Sequence, residues 1–301
     1  MSTGPEPGRL KLGKRHQRGL AFALALALRA SRPKLIKGAQ LARLTNAWSK
    51  IRWSLANRGP MGTLRVLVQR VIFAIQKPAT QKPVAQHPFD LEYGVDTSGL
   101  IGGGDLRVGH VHDVYITAYA GVPPPRFDRT IRRWMLTPPL DVVENYTFVD
   151  LGCGKGRAVM LASELQFRGV IGVELNADLA RIAEANVEIW KAAGRVLCPV
   201  RIACGDATEF KLPPGPCLVY LANPFGAPVM SRLLERLKAQ VVAQNQILDV
   251  LYQNPEQERV FVNNPAFVLL WSEVIPMSKQ DEEVDPVSTN RDRCNAYRFV
   301  R

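Results

Sequence analysis

The chain has 301 residues, of which 47% are hydrophobic, and a formal net charge of +12. This length accommodates one large domain or one domain with an extension, and the hydrophobic fraction is that of a protein with a packed core rather than a disordered chain. The five cysteines form no C-x-x-C pair, which excludes a disulfide framework and favours a reducing, cytoplasmic compartment.

The positive charge belongs to the N-terminal segment. Residues 7–89 contain 17 of the 39 Lys and Arg residues of the chain and no Asp or Glu, whereas the other residues carry a small excess of acids. This shift in composition predicts two parts. Residues 1–88 are expected to be a basic helical N-terminal extension with its linker, and residues 89–301 a separate domain.

Two helices are predicted in the extension, at residues 19–30 and 61–76. The first is too short to span a bilayer, which needs about 20 apolar residues. Basic apolar helices suit an anionic membrane surface or nucleic acid, and they equally suit packing on the second domain. A targeting role is a further alternative. Residues 78–88 contain three prolines and are predicted to be the linker.

A polar and aromatic loop is predicted next, with the sequence F-D-L-E-Y-G-V-D-T-S-G at residues 89–99. Residues 112–133 follow, with tyrosines at 115 and 119 and three consecutive prolines ahead of an amphipathic helix. His110 and His112 are spaced as a ligand pair could be. No cysteine or carboxylate completes that set, so we predict a plain loop and no metal site.

The most informative stretch is F-V-D-L-G-C-G-K-G-R at residues 148–157. An apolar strand ends at Asp150, three glycines alternate with other residues, and a helical pattern begins at Arg157. Glycines allow a tight turn and a close approach of the backbone to a ligand. A dinucleotide turn needs its third glycine where Arg157 stands, and Asp150 would repel a pyrophosphate. The same acid suits S-adenosylmethionine (SAM), which carries a sulfonium and an ammonium and no phosphate.

Two further acids follow the next predicted strands. Residues 169–174 form an apolar run that ends at Glu174, about 20 residues past the turn. This is the usual place for a carboxylate that binds both hydroxyls of a ribose. Residues 198–204 predict a third strand, which Asp206 and Ala207 follow. Each acid alone could instead be a helix N-cap or a solvated loop residue.

A fourth strand is predicted at residues 217–222, and Asn223-Pro224-Phe225-Gly226 comes directly after it. Because ligands in open α/β sheets lie beyond the carboxyl ends of the strands, we expect this tetrapeptide at the reaction site. The alternative is a proline turn that leads into a helix predicted at residues 228–240.

The remaining pattern continues the alternation of strands and helices. Further helices are predicted at residues 157–166, 178–193 and 255–261, and further strands at residues 247–252, 266–272 and 295–300. We therefore predict an α/β, doubly wound, seven-stranded, Rossmann-like sheet with a basic helical N-terminal extension.

The glycine turn resembles motif I of the class I SAM-dependent methyltransferases. Together with the loop at residues 93–99 and N-P-F-G, it makes residues 88–301 similar to a bacterial group of these enzymes. N-P-F-G resembles both the N-P-P-Y motif of amino-group methyltransferases and the N-N-F segment of Dot1-like lysine methyltransferases, but Phe225 and Gly226 depart from N-P-P-Y. The Dot1-like enzymes also place a Y-x-P-T/S-like segment before motif I, to which Tyr119 is the nearest match.

The resemblance implies a class I methyltransferase sheet whose last strand is antiparallel, with SAM as the cofactor. The residues implied in cofactor binding are Asp150, Gly152, Cys153, Gly154, Gly156, Arg157, Glu174, Asp206, Ala207 and Asn223. The residues implied at the acceptor are Asn223, Pro224, Phe225, Tyr119 and Tyr93. Asn223 and the next carbonyl would hold a nitrogen nucleophile, and the aromatic side chains would form a dry pocket that lowers the pKa of an amine.

We expect a methyl group to be transferred from SAM to a nitrogen nucleophile, with protein lysine as the favoured acceptor. The alternatives are a nucleic-acid or small-molecule methyltransferase, and a catalytically silent module that binds membrane or nucleic acid through residues 7–89. N-P-F-G lacks the tyrosine on which a flipped base would stack. The expected location is the cytoplasm, with peripheral attachment to a membrane as a possible addition.

Overall fold

The computed structural model describes residues 86–284 and 292–301. The predicted helices at residues 19–30 and 61–76, and all but the end of the predicted linker, lie outside these residues. Within the described ranges, no helix is both long enough and apolar enough to cross a membrane.

The elements before the central sheet are short. Helix α1 spans Pro88–Tyr93, strands β1 and β2 span Leu100–Ile101 and Tyr119–Ala120, and helix α2 spans Pro124–Met135. Residues 89–93 were predicted to be a loop and are helical instead. Pro88 occupies the first turn of α1, and the ring nitrogen Nδ1 of His87 caps the helix by accepting the Phe89 amide at 3.1 Å.

The central sheet begins at the predicted strand before the glycine turn. Its strands are β3 Thr147–Leu151, β4 Gly169–Glu174, β5 Val200–Cys204, β6 Cys217–Ala222, β7 Leu248–Gln253, β8 Phe267–Val274 and β9 Arg293–Phe299. The helices that follow α2 are α3 Arg157–Ser163, α4 Ala177–Ala192, α5 Ala227–Gln244, α6 Glu258–Val262 and α7 Lys279–Val284. All seven predicted strands are present.

The seven strands form one sheet in the order β5-β4-β3-β6-β7-β9-β8. Strands β3 to β7 are parallel, and β9 is antiparallel to both of its neighbours. The chain builds outward from β3 to β5, then restarts at β6 beside β3 and builds the other way. This doubly wound, Rossmann-like order confirms the predicted fold, including the antiparallel last strand.

Helices cover both faces of the sheet because the central strands are apolar on both sides. In β6, Leu218 and Tyr220 belong to the buried cluster that includes side chains of α2, α3 and α4. Val219 and Leu221 belong to a second cluster with side chains of α5 and α6. Burial of each large apolar side chain contributes about 1.5–3 kcal/mol. The core therefore holds the carboxyl ends of β3, β4 and β6 in fixed positions.

Candidate functional site

A cleft lies where the strand order reverses between β3 and β6, which is the place where open α/β sheets bind ligands. It has a volume of about 960 Å³ and opens to solvent. Its walls come from the segment at residues 116–122, from the glycine turn and from the ends of β4, β5 and β6. The predicted cofactor residues on these walls are Asp150, Gly152, Cys153, Gly154, Arg157, Glu174, Asp206 and Ala207.

The glycine turn has a backbone that favours glycine at each of its three alternating positions. Gly152, Gly154 and Gly156 have φ angles of 88°, 54° and 84°. A Cβ atom on Gly154 would overlap the ring of Tyr119, and one on Gly152 would lie 2.6 Å from Cβ of Pro224. Gly156 is not on the cleft wall and instead packs against helix α4. The first two glycines shape the floor of the cleft, and the third allows a helix to pack closely.

Asp150 is a buried acid on the cleft wall with an unsatisfied oxygen. Its side chain is 3% exposed, and Oδ1 has no hydrogen-bond partner among the described residues. Burial, together with the nearby charge of Glu174, raises the pKa of Asp150 to about 8. The carboxyl group is therefore protonated at neutral pH until a positive charge approaches it.

Glu174, at the end of β4, is held in place by the backbone. Its Oε2 accepts the Gly154 amide and its Oε1 accepts the Asn176 amide, both at 2.9 Å. Burial raises the pKa of Glu174, and the backbone hydrogen bonds oppose that effect. Each carboxylate oxygen keeps a second lone pair for another donor.

Asp206 follows β5 and forms part of a polar group that includes two histidines. Its carboxylate accepts the amide and the hydroxyl of Thr208 at 2.8 and 2.9 Å. The Nε2 atoms of His110 and His112 lie 3.8 and 3.5 Å from Asp206 Oδ2. The two histidines lie in irregular structure, as the predicted loop implies, and His112 lines this end of the cleft.

A strap, residues 90–98, connects the chain before the sheet to the glycine turn. The buried Asp90 carboxylate accepts the amides of Thr97 and Ser98 at 2.7 and 2.6 Å. Arg157 is 4% exposed, donates to the Thr97 hydroxyl at 2.6 Å and lies 3.5 Å from the Asp90 carboxylate. The Arg157 guanidinium is thus engaged with protein groups, so its direct effect is to position the strap.

The next part of the strap is attached to the turn and to α4. Lys155 Nζ donates to Asp96 Oδ1 at 2.6 Å and to the Ser98 carbonyl at 2.9 Å. Asn186 donates to the backbone carbonyls of Asp96 and Lys155 at 2.8 and 2.9 Å. These contacts hold the strap beside the turn. The sequence identified residues 89–99 as unusual but did not indicate these partners.

The two predicted site tyrosines have different positions. The Tyr119 ring packs on Gly154 and its hydroxyl donates to the Thr97 carbonyl at 2.7 Å, while burial raises its pKa and keeps it neutral. Tyr93 instead packs against Trp190 with ring centroids 4.8 Å apart, and the Arg195 guanidinium lies 4.5 Å from its ring. Tyr93 therefore belongs to a packing cluster and not to the cleft, contrary to the prediction.

The tetrapeptide after β6 is paired with the segment that enters β2. Ile116 and Phe225 form an antiparallel bridge. The Thr117 hydroxyl donates to the Asn223 carbonyl at 2.6 Å, and the Thr117 amide donates to the Pro224 carbonyl at 3.3 Å. Pro224 and Phe225 line the cleft. The carbonyl that was expected to hold a nucleophile thus already accepts one hydrogen bond from the protein.

Asn223 has a φ angle of 50°, which is uncommon for a residue with a side chain. Its Oδ1 atom accepts the Tyr252 hydroxyl at 3.3 Å, and that hydroxyl in turn accepts the Gln257 amide at 3.1 Å. Asn223 does not line the cleft. It lines a second cavity beside the cleft.

The second cavity opens to solvent, has about 880 Å³ of empty space when that open solvent is included, and shares residues 117, 118, 120–122 and Ala222 with the cleft. Its polar lining consists of Arg126, Asn223, Gln253, Asn254, Glu256 and Asp292, besides Thr117. None of the described residues that line it is aromatic. The predicted aromatic acceptor pocket is therefore not formed there, because Tyr119 and Phe225 line the cleft instead.

Over residues 86–284 and 292–301, no group of three or more His, Cys, Asp or Glu side chains is arranged to hold a metal ion. The buried polar atoms without a hydrogen-bond partner that belong to residues lining the two cavities are Asp150 Oδ1, Tyr220 Oη and Gln253 Oε1, among the described residues. Such oxygens accept hydrogen bonds from a ligand and favour positive charge.

Comparisons with known proteins give distant structural matches. No family model and no curated protein matches the chain. It is similar to an RNA methyltransferase from Salinibacter ruber in complex with S-adenosyl-L-homocysteine, with 21% identity over 60% of this chain and 92% of that chain and a TM-score of 0.37. It is similar to a putative methylase from Haemophilus influenzae, with 16% identity, coverage of 59% and 100% and a TM-score of 0.39.

A third similar structure is magnesium protoporphyrin IX methyltransferase from Synechocystis with bound SAM. It is 13% identical, with coverage of 59% of this chain and 79% of that chain and a TM-score of 0.39.

Proposed function

We propose that this protein is a SAM-dependent methyltransferase that transfers the methyl group to a nitrogen nucleophile. The observation that carries the proposal is one cleft that combines a glycine turn, a buried acid with an unsatisfied oxygen and a backbone-held glutamate. A dinucleotide would place a pyrophosphate beside Asp150 and Glu174, two acidic side chains that supply no positive charge to bind it.

The residues of the cleft fit SAM in charge and in hydrogen bonding. Asp150 Oδ1 would accept the ammonium group, because it is the unsatisfied buried oxygen of the turn. The free lone pairs of Glu174 would accept the ribose hydroxyls. Asp206, at the end of β5, would accept the adenine amino group. When bound, SAM supplies a methyl carbon that its sulfonium already activates for displacement.

The protein has mainly to position the acceptor and exclude water. The side chains of Tyr119 and Phe225 form an apolar part of the cleft wall. The strap holds Tyr119 in place, because the Thr97 carbonyl accepts the Tyr119 hydroxyl. Tyr119 is neutral and its hydroxyl is already donated, so it is no general base. The acceptor nitrogen must therefore arrive uncharged or release its proton to solvent.

The acceptor class is the finer part of the proposal. Protein lysine as the acceptor stays a prediction that rests on the Dot1-like resemblance. The second cavity does not add support to it, because its lining offers polar oxygens where an aromatic pocket was expected. Amino groups of nucleic acid or of small molecules are the alternatives. Radiolabelled SAM incubated with the protein and a cell lysate separates these classes, because label enters protein, nucleic acid or the small-molecule fraction.

Calorimetric titration with S-adenosylhomocysteine (SAH) tests the cofactor assignment. Glu174→Ala removes two charge-assisted hydrogen bonds and should weaken SAH binding by about 1.5–3 kcal/mol, or roughly 10- to 150-fold. Glu184→Ala, at an exposed position on α4, is the matched control and should bind normally. Equal binding by both variants, or tight NAD binding by the wild type without SAH binding, contradicts the proposal.

A further inference from the structure

We infer that Gln253 recognises the acceptor in the second cavity, and that this cavity takes a ligand that presents an amino N–H donor. The inference rests on the proposed function, which makes the cavity beside the cleft the place for a methyl acceptor. It names the chemistry by which the acceptor is held.

The first observation is the orientation of the Gln253 amide. Gln253 ends β7, is 4% exposed and lines the second cavity. Its Nε2 donates to the Arg293 carbonyl at 3.3 Å. Because a carbonyl can only accept, the amide nitrogen must face Arg293 and the amide oxygen must point the other way.

The second observation is that this oxygen is left unsatisfied. Gln253 Oε1 has no hydrogen-bond partner among the described residues. A buried amide oxygen without a donor is destabilising, so such atoms are rare unless a ligand or water supplies the donor. The backbone beside it is also unusual. Asn254 has a φ angle of 50°, and its amide donates to the Arg293 carbonyl at 2.8 Å.

The charges of the cavity favour a donor over an anion. Arg126 donates to the Ile275 carbonyl at 3.0 Å and pairs with Asp292 at 3.1 Å, so its charge is compensated. Glu256, which is exposed at the rim, forms no ion pair with a described residue. An amino group would meet oxygens from Gln253 and Glu256, whereas a phosphate or carboxylate would be repelled.

The cavity also has the position that an acceptor site needs. It shares the wall at residues 120–122 with the cleft, and Asn223 lines it directly after β6. The second cavity therefore borders the cleft at the end of β6, where Ala222 lines both. An alkylamine, such as a lysine side chain, and an aromatic amine, such as the amino group of a nucleobase, both present N–H donors to an oxygen such as that of Gln253.

The test uses the full-length protein saturated with SAH, with binding of defined probes followed by ligand-observed NMR. The probes are n-butylammonium chloride, cytidine and sodium butyrate. The variants are Gln253→Met, which removes the amide oxygen at similar volume, and Gln253→Glu, which keeps an acceptor. Gln244→Met, at an exposed position on α5, is the matched control.

We expect at least one amino probe to bind the wild type and Gln244→Met with equal affinity. The same probe should bind Gln253→Met at least about 10-fold more weakly than the wild type. It should bind Gln253→Glu at least as tightly as the wild type. Butyrate should not bind. Preference for butylammonium assigns an alkylamine acceptor, and preference for cytidine assigns an aromatic amine.

Two results separate the inference from the proposed function. The inference is overturned if all variants bind SAH normally but the amino probes bind the wild type and Gln253→Met equally, or bind neither. That result leaves the methyltransferase proposal standing. Failure of the wild type to bind SAH overturns the proposed function, and the inference falls with it.

Discussion

Asp150 links the stability of the protein to its proposed cofactor. Its pKa lies at about 8 in the folded protein and at 3.8 in an unstructured chain, so the folded state retains a proton that the unfolded state releases. Stability should therefore fall as pH rises from about 4 to about 8. At 1.36 kcal/mol per pH unit, this interval corresponds to an upper bound of roughly 6 kcal/mol. That is a large share of a typical total stability of about 5–15 kcal/mol.

Asp150→Asn tests this linkage because it has the same shape and no charge at any pH. We expect the wild type to lose stability between pH 6 and pH 9, and Asp150→Asn to lose much less and to be the more stable protein at pH 9. Urea unfolding at several pH values measures the difference. Asp178→Asn is the control, because Asp178 is exposed on the surface of α4. It should follow the wild type.

The same carboxyl group should release its proton when a cation binds beside it. Because burial raises the pKa of Asp150 to about 8, its carboxyl group is mostly protonated at pH 7, so SAH binding should release up to one proton as its ammonium group approaches. Calorimetric titrations in phosphate and Tris buffers measure this release. Asp150→Asn should bind SAH more weakly and without that proton.

Two outcomes would refute the reasoning about Asp150. Parallel pH–stability curves for the wild type and Asp150→Asn would mean that the burial of this carboxyl group does not shift its titration. Equal proton release by both proteins would mean that the ligand or another group titrates, and that Asp150 is not beside the ammonium.

Four further results are expected. Gly154→Ala should abolish SAH binding and lower the melting temperature, because the new methyl group would overlap the Tyr119 ring. Asp90→Ala should cost about 3–5 kcal/mol in urea unfolding, since it leaves a buried guanidinium without its carboxylate. Asn223→Ala should lower kcat/KM for an identified acceptor and leave SAH affinity nearly unchanged. Deletion of residues 1–80 should preserve SAH binding and abolish salt-sensitive sedimentation with anionic liposomes; a gel shift run in parallel shows whether nucleic acid is the partner instead.

The sheet was predictable because its signals are local. Strands β3, β4 and β6 are mainly apolar runs, and Asp150, Glu174 and Asn223 come at, near or directly after the ends of these runs. Three alternating glycines with positive φ angles mark the turn between β3 and α3. The carboxyl ends of parallel strands meet at one edge, so Asp150 and Glu174, far apart in sequence, line one cleft.

The acceptor side was not predictable because its contacts are not local. Tyr93 has the right residue type and stands in an unusual loop, but the same rings that suit a pocket also suit packing on Trp190. Gln253 is one of several glutamines in the chain. Only its position at the end of β7, with Arg293 of β9 beside it, leaves its oxygen unsatisfied. Periodicity carries no information about such pairings.

Some departures from ordinary folding rules lie where ligands are proposed to bind, although five of the eight buried polar atoms without a partner among the described residues lie elsewhere. Among the described residues, three that are not glycine have positive φ, and two of them, Asn223 and Asn254, line the second cavity. Of the buried polar atoms without a partner, Asp150 Oδ1 and Tyr220 Oη belong to the cleft and Gln253 Oε1 to the second cavity. Each departure destabilises the free protein, and a ligand that supplies the missing donor or charge removes the penalty. Binding at both cavities should therefore stabilise the fold more than the contact areas alone would suggest.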